Sequence, residues 1–132
     1  MNILKGLIKE IRVNGELSIV RIDVNGLLLS TIVIDTPETA SFLKLGEPVT
    51  VIFKETEVIL GIGDMKGISL RNKFKGRVVD LQSDELLSKV VVDTEVGLIS
   101  SIITSNAVNQ LKIELGSDVT AMVKTNEIQL SE

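Results

Sequence analysis

Ser69-Leu70-Arg71-Asn72 places a hydroxyl, a guanidinium and an amide within four residues. All three groups donate hydrogen bonds, and donors this dense suit a tetrahedral oxyanion. An ordinary polar turn has the same composition, with the Asn satisfying local backbone and the Arg in solvent. Thr104-Ser105-Asn106 stands where a strand meets a helix. Free backbone N–H groups and hydroxyls there make either an anion site or a plain helix cap. Lys124-Thr125 lies in a turn between two strands, and Lys54-Glu55 is its earlier counterpart. A Lys at such a turn neutralises a bound anion or is simply solvated. Glu57 and Glu127 are lone carboxylates that fit the protection of strand edges. Asp23, Asp64 and Asp93 do not form the dense oxygen loop that a hard cation needs.

What is missing narrows the chemistry further. The chain has no Cys and no His, which removes disulfides, thiolate metal sites, the usual general base and the commonest transition-metal ligand. Trp and Tyr are absent and only three Phe remain, so stacking on nucleic-acid bases has almost no platform. A net charge of −4 also argues against binding a phosphate backbone. No general acid–base pair can be assembled from the carboxylates, and the expectation is a binding protein rather than an enzyme. No run reaches the ~18 apolar residues of a membrane span. Lys5, Lys9, Glu10 and Arg12 break up the first apolar stretch, so it does not read as a secretory signal. A cytoplasmic protein is expected.

The elements that must hold these groups come as one module written twice. Residues 2–60 recur as 72–130 at a constant offset of 70 without a gap. Asn2, Lys5 and Gly6 return as Asn72, Lys75 and Gly76, and Leu45-Gly46 returns as Leu115-Gly116. Lys54, Glu57 and Leu60 return as Lys124, Glu127 and Leu130. An internal duplication of this kind fixes the architecture before any single motif does. The expected domains are a first module over 1–62, a Gly-rich linker over 63–68 and a second module over 69–132. Asn14-Gly15 and Asn25-Gly26 are hairpin signals between β-branched runs. Five short strands per module, joined by tight turns, predict a small barrel. Each module also predicts one short helix. In the first, Thr36-Pro37-Glu38 supplies a capping hydroxyl, a first-turn Pro and an acid, with Gly46 closing the helix after Phe42. In the second, Thr104, Ser105 or Asn106 caps a helix that runs through Leu111 and stops before Gly116.

Four stretches taken together resemble one family. They are Ser69-Leu70-Arg71-Asn72-Lys73-Phe74-Lys75-Gly76, then Ile102-Ile103-Thr104, then Leu115-Gly116-Ser117-Asp118-Val119, then Lys124-Thr125-Asn126-Glu127-Ile128. The set is similar to the Mop module of the TOBE superfamily, and the tandem arrangement resembles a molbindin of the di-Mop type. The resemblance implies an all-β fold of tandem OB-like five-stranded barrels with one short helix per repeat. It implies molybdate or tungstate as ligand, for molybdenum storage or homeostasis. The implied oxyanion ligands fall on Ser69, Arg71, Thr104, Lys124 and the backbone around Thr125, with Ser105 and Asn72 supporting them. Leu70 departs from the usually small residue of the pattern. The first module departs more: the Ser-x-Arg opening is missing, Ile34 replaces Thr104, and Glu55 sets a negative charge beside Lys54. The first module is therefore expected to be largely scaffold, with Lys54 as a weaker candidate ligand.

Modules of about 60 residues sit near the size where a core becomes marginal. A hydrophobic fraction of 44% leaves apolar surface for subunit contacts, so a homo-oligomer is expected. The family implies a trimer, or a dimer for its regulator-linked form, with sites where modules of different subunits meet. Two other functions share these features. One is an oxyanion-sensing fragment of a transcription regulator or transport ATPase, although the chain has neither a helix-turn-helix nor a phosphate-binding loop. The other is an assembly module whose anion site has decayed. The Met1 start favours a stand-alone protein.

Overall fold

A computed structural model describes residues 1–132. The strands are β1 (Asn2–Asn14), β2 (Leu17–Val24), β3 (Leu27–Val33), β4 (Pro48–Phe53) and β5 (Ile59–Gly61), then β6 (Asn72–Ser83), β7 (Leu87–Thr94), β8 (Gly97–Thr104), β9 (Asp118–Val123) and β10 (Gln129–Ser131). Asn25 (φ 53°) and Gly26 (φ 92°) are both left-handed. Such a pair matches the right-handed twist of the strands it joins, here β2 and β3. The opening strands are the longest of each repeat, 13 and 12 residues, and each carries a bulge, after Ile8 in β1 and after Val78 in β6. The bulge bends the strand, so its first half pairs with β4 or β9 and its second half with β2 or β7. Gly6 and Gly76 sit at that bend because a side chain would strike backbone. A Cβ on Gly6 would lie 2.6 Å from the Asp23 carbonyl oxygen, and one on Gly76 would collide with the carbonyl of Asp93.

The two sheets do not follow the repeat boundary. One has the order β10-β4-β1-β2-β3 and the other β5-β9-β6-β7-β8. Each repeat gives its last short strand to the sheet of the other: Leu130 pairs with Val51, and Leu60 with Ala121. The side chains form one core of 24 buried residues drawn from both repeats. At its centre the rings of Phe53 and Phe74 stack with centroids 6.5 Å apart. Aromatic pairs in this range add about 0.5–1.5 kcal/mol beyond the area they bury.

The expectation of one helix per repeat is corrected. Only the second repeat forms an α-helix, α1 (Ser105–Leu111); the matching stretch of the first is a pair of turns. Local side chains there satisfy the backbone instead. The Thr36 N–H donates to Thr39 Oγ1 at 2.8 Å, the Glu38 N–H to Thr36 Oγ1 at 3.3 Å, and Thr39 Oγ1 to Asp35 Oδ1 at 3.0 Å. Thr and Asp compete with the helix ladder in this way. α1 runs through Leu111 and stops before Gly116 as expected, closed by left-handed Lys112 (φ 55°). The Gly116 N–H reaches back to the Val78 carbonyl at 2.8 Å, as the Gly46 N–H does to Ile8 at 2.7 Å. Both glycines therefore lock the loop before β4 or β9 onto a bulge. No helix is long and apolar enough to cross a membrane.

Candidate functional site

The residues leading into β6 alternate: Ser69 and Arg71 are exposed, while Leu70 and Asn72 are buried. Leu70 thus anchors the segment from below, and its neighbours face outward together. The register Asn72↔Val123 brings the end of β9 alongside the start of β6, so Lys124 leaves β9 at the same end at which Arg71 enters β6. A 3-10 turn (Thr125–Glu127) follows Lys124 and packs on β3. The single proton of Thr31 Oγ1 seats it there, donated to the Ile128 carbonyl (2.7 Å) with the Thr125 carbonyl as a longer second acceptor (3.2 Å).

The donors at this edge are only partly engaged. Arg71 Nε donates to the Ser69 carbonyl at 3.2 Å and Nη2 to that of Ile68, which leaves three of five guanidinium N–H groups free. Lys124 is exposed and makes no ion pair. The Ser69 hydroxyl and the Lys124 ammonium make no intramolecular hydrogen bond. Two cations and a hydroxyl without a carboxylate partner can accept a compact anion. No group of three or more carboxylates lies anywhere that could hold a metal cation.

Asn72 is 1% exposed and its amide is fully committed. Nδ2 donates to the carbonyls of Ser30 (2.9 Å) and Val123 (3.1 Å), and Oδ1 accepts the Ser30 N–H at 2.7 Å. Its support for the edge is therefore positional: it clamps β6 and the end of β9 to β3. Asn2 does the same at the other end, bonded to the Ser100 carbonyl (2.9 Å) and N–H (2.8 Å). Ser30 recurs as Ser100 at the offset of 70, and Thr31 is matched by another hydroxyl, Ser101; these pairs are the sequence signal for the two clamps.

Thr104 and Ser105 lie elsewhere in the chain. Thr104 pairs with Leu87, beside the Ser83↔Ser88 pair at the far end of β6 from Asn72. The twelve residues of β6 span about 35–40 Å at roughly 3.3 Å each, less what the bulge takes up. Thr104 Oγ1 accepts the Ala107 N–H at 3.1 Å as the cap of α1, and its own proton stays free. Ser105 is buried, donating to the Asp84 carbonyl at 2.7 Å and bonded to Ser88 Oγ at 2.8 Å. Asp84 itself accepts from the N–H groups of Leu87 and Leu86, which hold its carboxyl below the usual carboxylate range. One chain thus sets Ser69, Arg71, Lys124 and Thr125 at the same end of the β6–β9 pair and leaves Thr104 and Ser105 at the opposite end of β6.

Lys54 repeats the position of Lys124 and is exposed. Its neighbour Glu55 pairs through Oε1 with the Met1 ammonium at 2.9 Å. That hydrogen bond, then the backbone N–H of Glu55 and the charges of Met1 and Lys89, hold the Glu55 carboxyl below its ordinary range.

Comparison with known proteins places the fold in a family. Residues 68–130 match the TOBE domain. Molybdenum-pterin-binding protein 2 of Clostridium pasteurianum is 36% identical over 64 residues, 48% of this chain and 94% of that protein. Molybdenum-pterin-binding protein MopB of Rhodobacter capsulatus is 30% identical over 100 residues, 73% of this chain and 37% of that protein. Among solved structures, the cytoplasmic molybdate-binding protein ModG, with molybdate bound, matches with a TM-score of 0.89 and 25% identity. That match covers 98% of this chain and 94% of ModG. The tandem repeat, the bulged OB-like strands and these relatives together show that the chain belongs to the Mop-type molybdenum-pterin-binding family, with a TOBE domain over residues 68–130.

Proposed function

We propose that this protein binds molybdate reversibly and without catalysis, serving intracellular molybdenum storage or homeostasis, with tungstate as an alternative ligand. The observation that carries this reading is the outward edge of Ser69, Arg71 and Lys124, two cations and a hydroxyl with no carboxylate among them. The similarity to molybdate-bound ModG over nearly the whole chain supports it. A dianion taken out of water must be met by N–H and O–H donors, because an unpaired buried charge is expensive. Arg71 and Lys124 supply the compensating charge. Ser69 and the backbone of the turn at Thr125 supply directional donors. Selection against sulfate and phosphate would rest on the size of the cage and on the proton of hydrogen phosphate finding no acceptor, since an unmatched polar group rejects its ligand.

The free proton of Thr104 completes the set only if another copy of the chain brings it to the Ser69 edge. A homo-oligomer, which we take to be a trimer, meets this need. Exposed apolar side chains such as Ile34 (81%), Leu86 (75%) and Leu45 (69%) supply contact surface for it. The first repeat then serves mainly as scaffold, and the protein works in the cytoplasm without nucleic acid or membrane partners.

Titration calorimetry with molybdate, tungstate and sulfate tests the proposal. Arg71→Ala and Lys124→Ala should each weaken molybdate by about 1.5–3 kcal/mol, the scale of a hydrogen bond to a charged group, or roughly 10- to 150-fold. Unchanged affinity in both variants would remove the edge from the site.

A further inference from the structure

The two ends of the molecule share one frame but carry different side chains. Asn2 clamps Ser100 as Asn72 clamps Ser30, and Ser101 Oγ bonds the Val58 carbonyl (2.8 Å) as Thr31 Oγ1 bonds that of Ile128 (2.7 Å). Lys54 (φ −78°, ψ 148°) and Lys124 (φ −71°, ψ 150°) enter their 3-10 turns with nearly the same backbone. In both turns the N–H of the Glu three residues on, Glu57 or Glu127, closes onto the Lys carbonyl at 3.0 Å.

On this common frame Glu55 stands at the place of Thr125, and Met1 at the place of Arg71. The Glu55 carboxylate is not free in solvent: it lies 2.9 Å from the Met1 ammonium and is the only carboxylate paired with it. Lys54 precedes it in the chain, and the charge of Lys89 reaches it from β7. The place of Lys89 is held by Ile19 in the other repeat. The first repeat's end therefore sets a carboxylate of its own against the Met1 ammonium, within reach of the Lys89 charge and one residue from Lys54. The second repeat's end leaves its cations unmatched.

We propose that Glu55 is a tethered counter-ion that occupies the first repeat's oxyanion position, so that anion binding is confined to the Ser69–Lys124 end. This rests on the reading of that end as a molybdate site. The carboxylate is covalently held next to its cations, and a free anion must displace it before binding. A tethered group at such range acts at an effective concentration of order millimolar or above. Replacing Glu55 by the residue of the second repeat removes that competitor and leaves the backbone donors of the turn in place.

The test is the number of molybdate ions bound per chain, from calorimetry and from molybdenum content after equilibrium dialysis of the intact protein. Glu55→Thr should double the wild-type number, and Lys54→Ala added to it should return the number to the wild-type value. Glu55→Gln removes the charge at nearly constant shape and should also raise the number, which guards against a misfolded threonine variant. Wild type that binds molybdate while both Glu55 variants keep the same number overturns this inference and leaves the Ser69–Lys124 site standing. Wild type that binds molybdate no better than sulfate sinks the reading of that site, and this inference with it.

Discussion

Replacing Asn72 by Ala probes the clamp that joins the two repeats beneath the candidate site. The side chain makes three hydrogen bonds, at 2.7, 2.9 and 3.1 Å, and is 1% exposed. At a net ~1 kcal/mol for each neutral bond, the loss comes to about 3 kcal/mol. Stranding the Ser30 N–H pushes the figure up, and partial access of water to Ser30 pushes it down. The symmetric Asn2→Ala removes only the pair of bonds to Ser100 and should cost about 2 kcal/mol by the same scale. For a chain of this size such losses lower Tm by roughly 10–15 °C and 6–10 °C respectively. Differential scanning calorimetry of both variants, with urea unfolding as a check, reads these shifts. Molybdate affinity of Asn72→Ala, measured well below its Tm, should fall less than tenfold, because the amide has no donor left for an anion. An Asn72→Ala protein that melts like wild type but no longer binds molybdate would refute the clamp and make the amide a ligand.

Three other outcomes follow from the fold and its charges. Deleting residues 129–132 removes β10 from the edge of β4, so hydrogen exchange should accelerate in β4 of the first repeat more than in β9 of the second. Faster exchange confined to the second repeat would contradict the strand exchange. Gly76→Ala must push a Cβ into the Asp93 carbonyl and should destabilise by at least the ~1–3 kcal/mol of an overpacked site, read by urea unfolding. Glu55 and Asp84 have folded-state pKa values below their ordinary ones, so their stabilising contribution is present above the unfolded carboxylate pKa of ~4 and is lost as pH falls through the lowered values. Melting of Glu55→Gln should therefore depend less on pH than wild type below about pH 4; parallel curves would remove the ion pair from the acid response.

Much of this architecture was legible in particular residues. The recurrence at offset 70 is matched by the Asn2 and Asn72 clamps on Ser100 and Ser30 and by the Ser101 and Thr31 bonds to Val58 and Ile128. Asn25-Gly26 forms the predicted hairpin because both residues tolerate positive φ. The exchange of β5 and β10 was hidden because Val58-Ile59-Leu60 and Ile128-Gln129-Leu130 bury the same positions, and nothing local distinguishes one sheet edge from the other. Thr36-Pro37-Glu38 misled because the residues that cap a helix also close turns on themselves, and here Thr39 and Asp35 complete the turn. Thr104 capping α1 was readable from type and position; the distance between Thr104 and the Ser69 edge was not, since it depends on the length and bend of β6. Asn72 looked like a donor for an anion in sequence, but its burial against β3 commits the amide to Ser30 and Val123.

Anomalous diffraction at the molybdenum edge, from crystals soaked in molybdate, locates the bound ion without reference to any variant. The heavy-atom peak should lie within hydrogen-bonding reach of Arg71, Lys124 and the Ser69 hydroxyl, with Thr104 of a neighbouring copy close by. A protein that takes up molybdate in solution yet shows its peak away from that edge, or shows none, would contradict the site at its root.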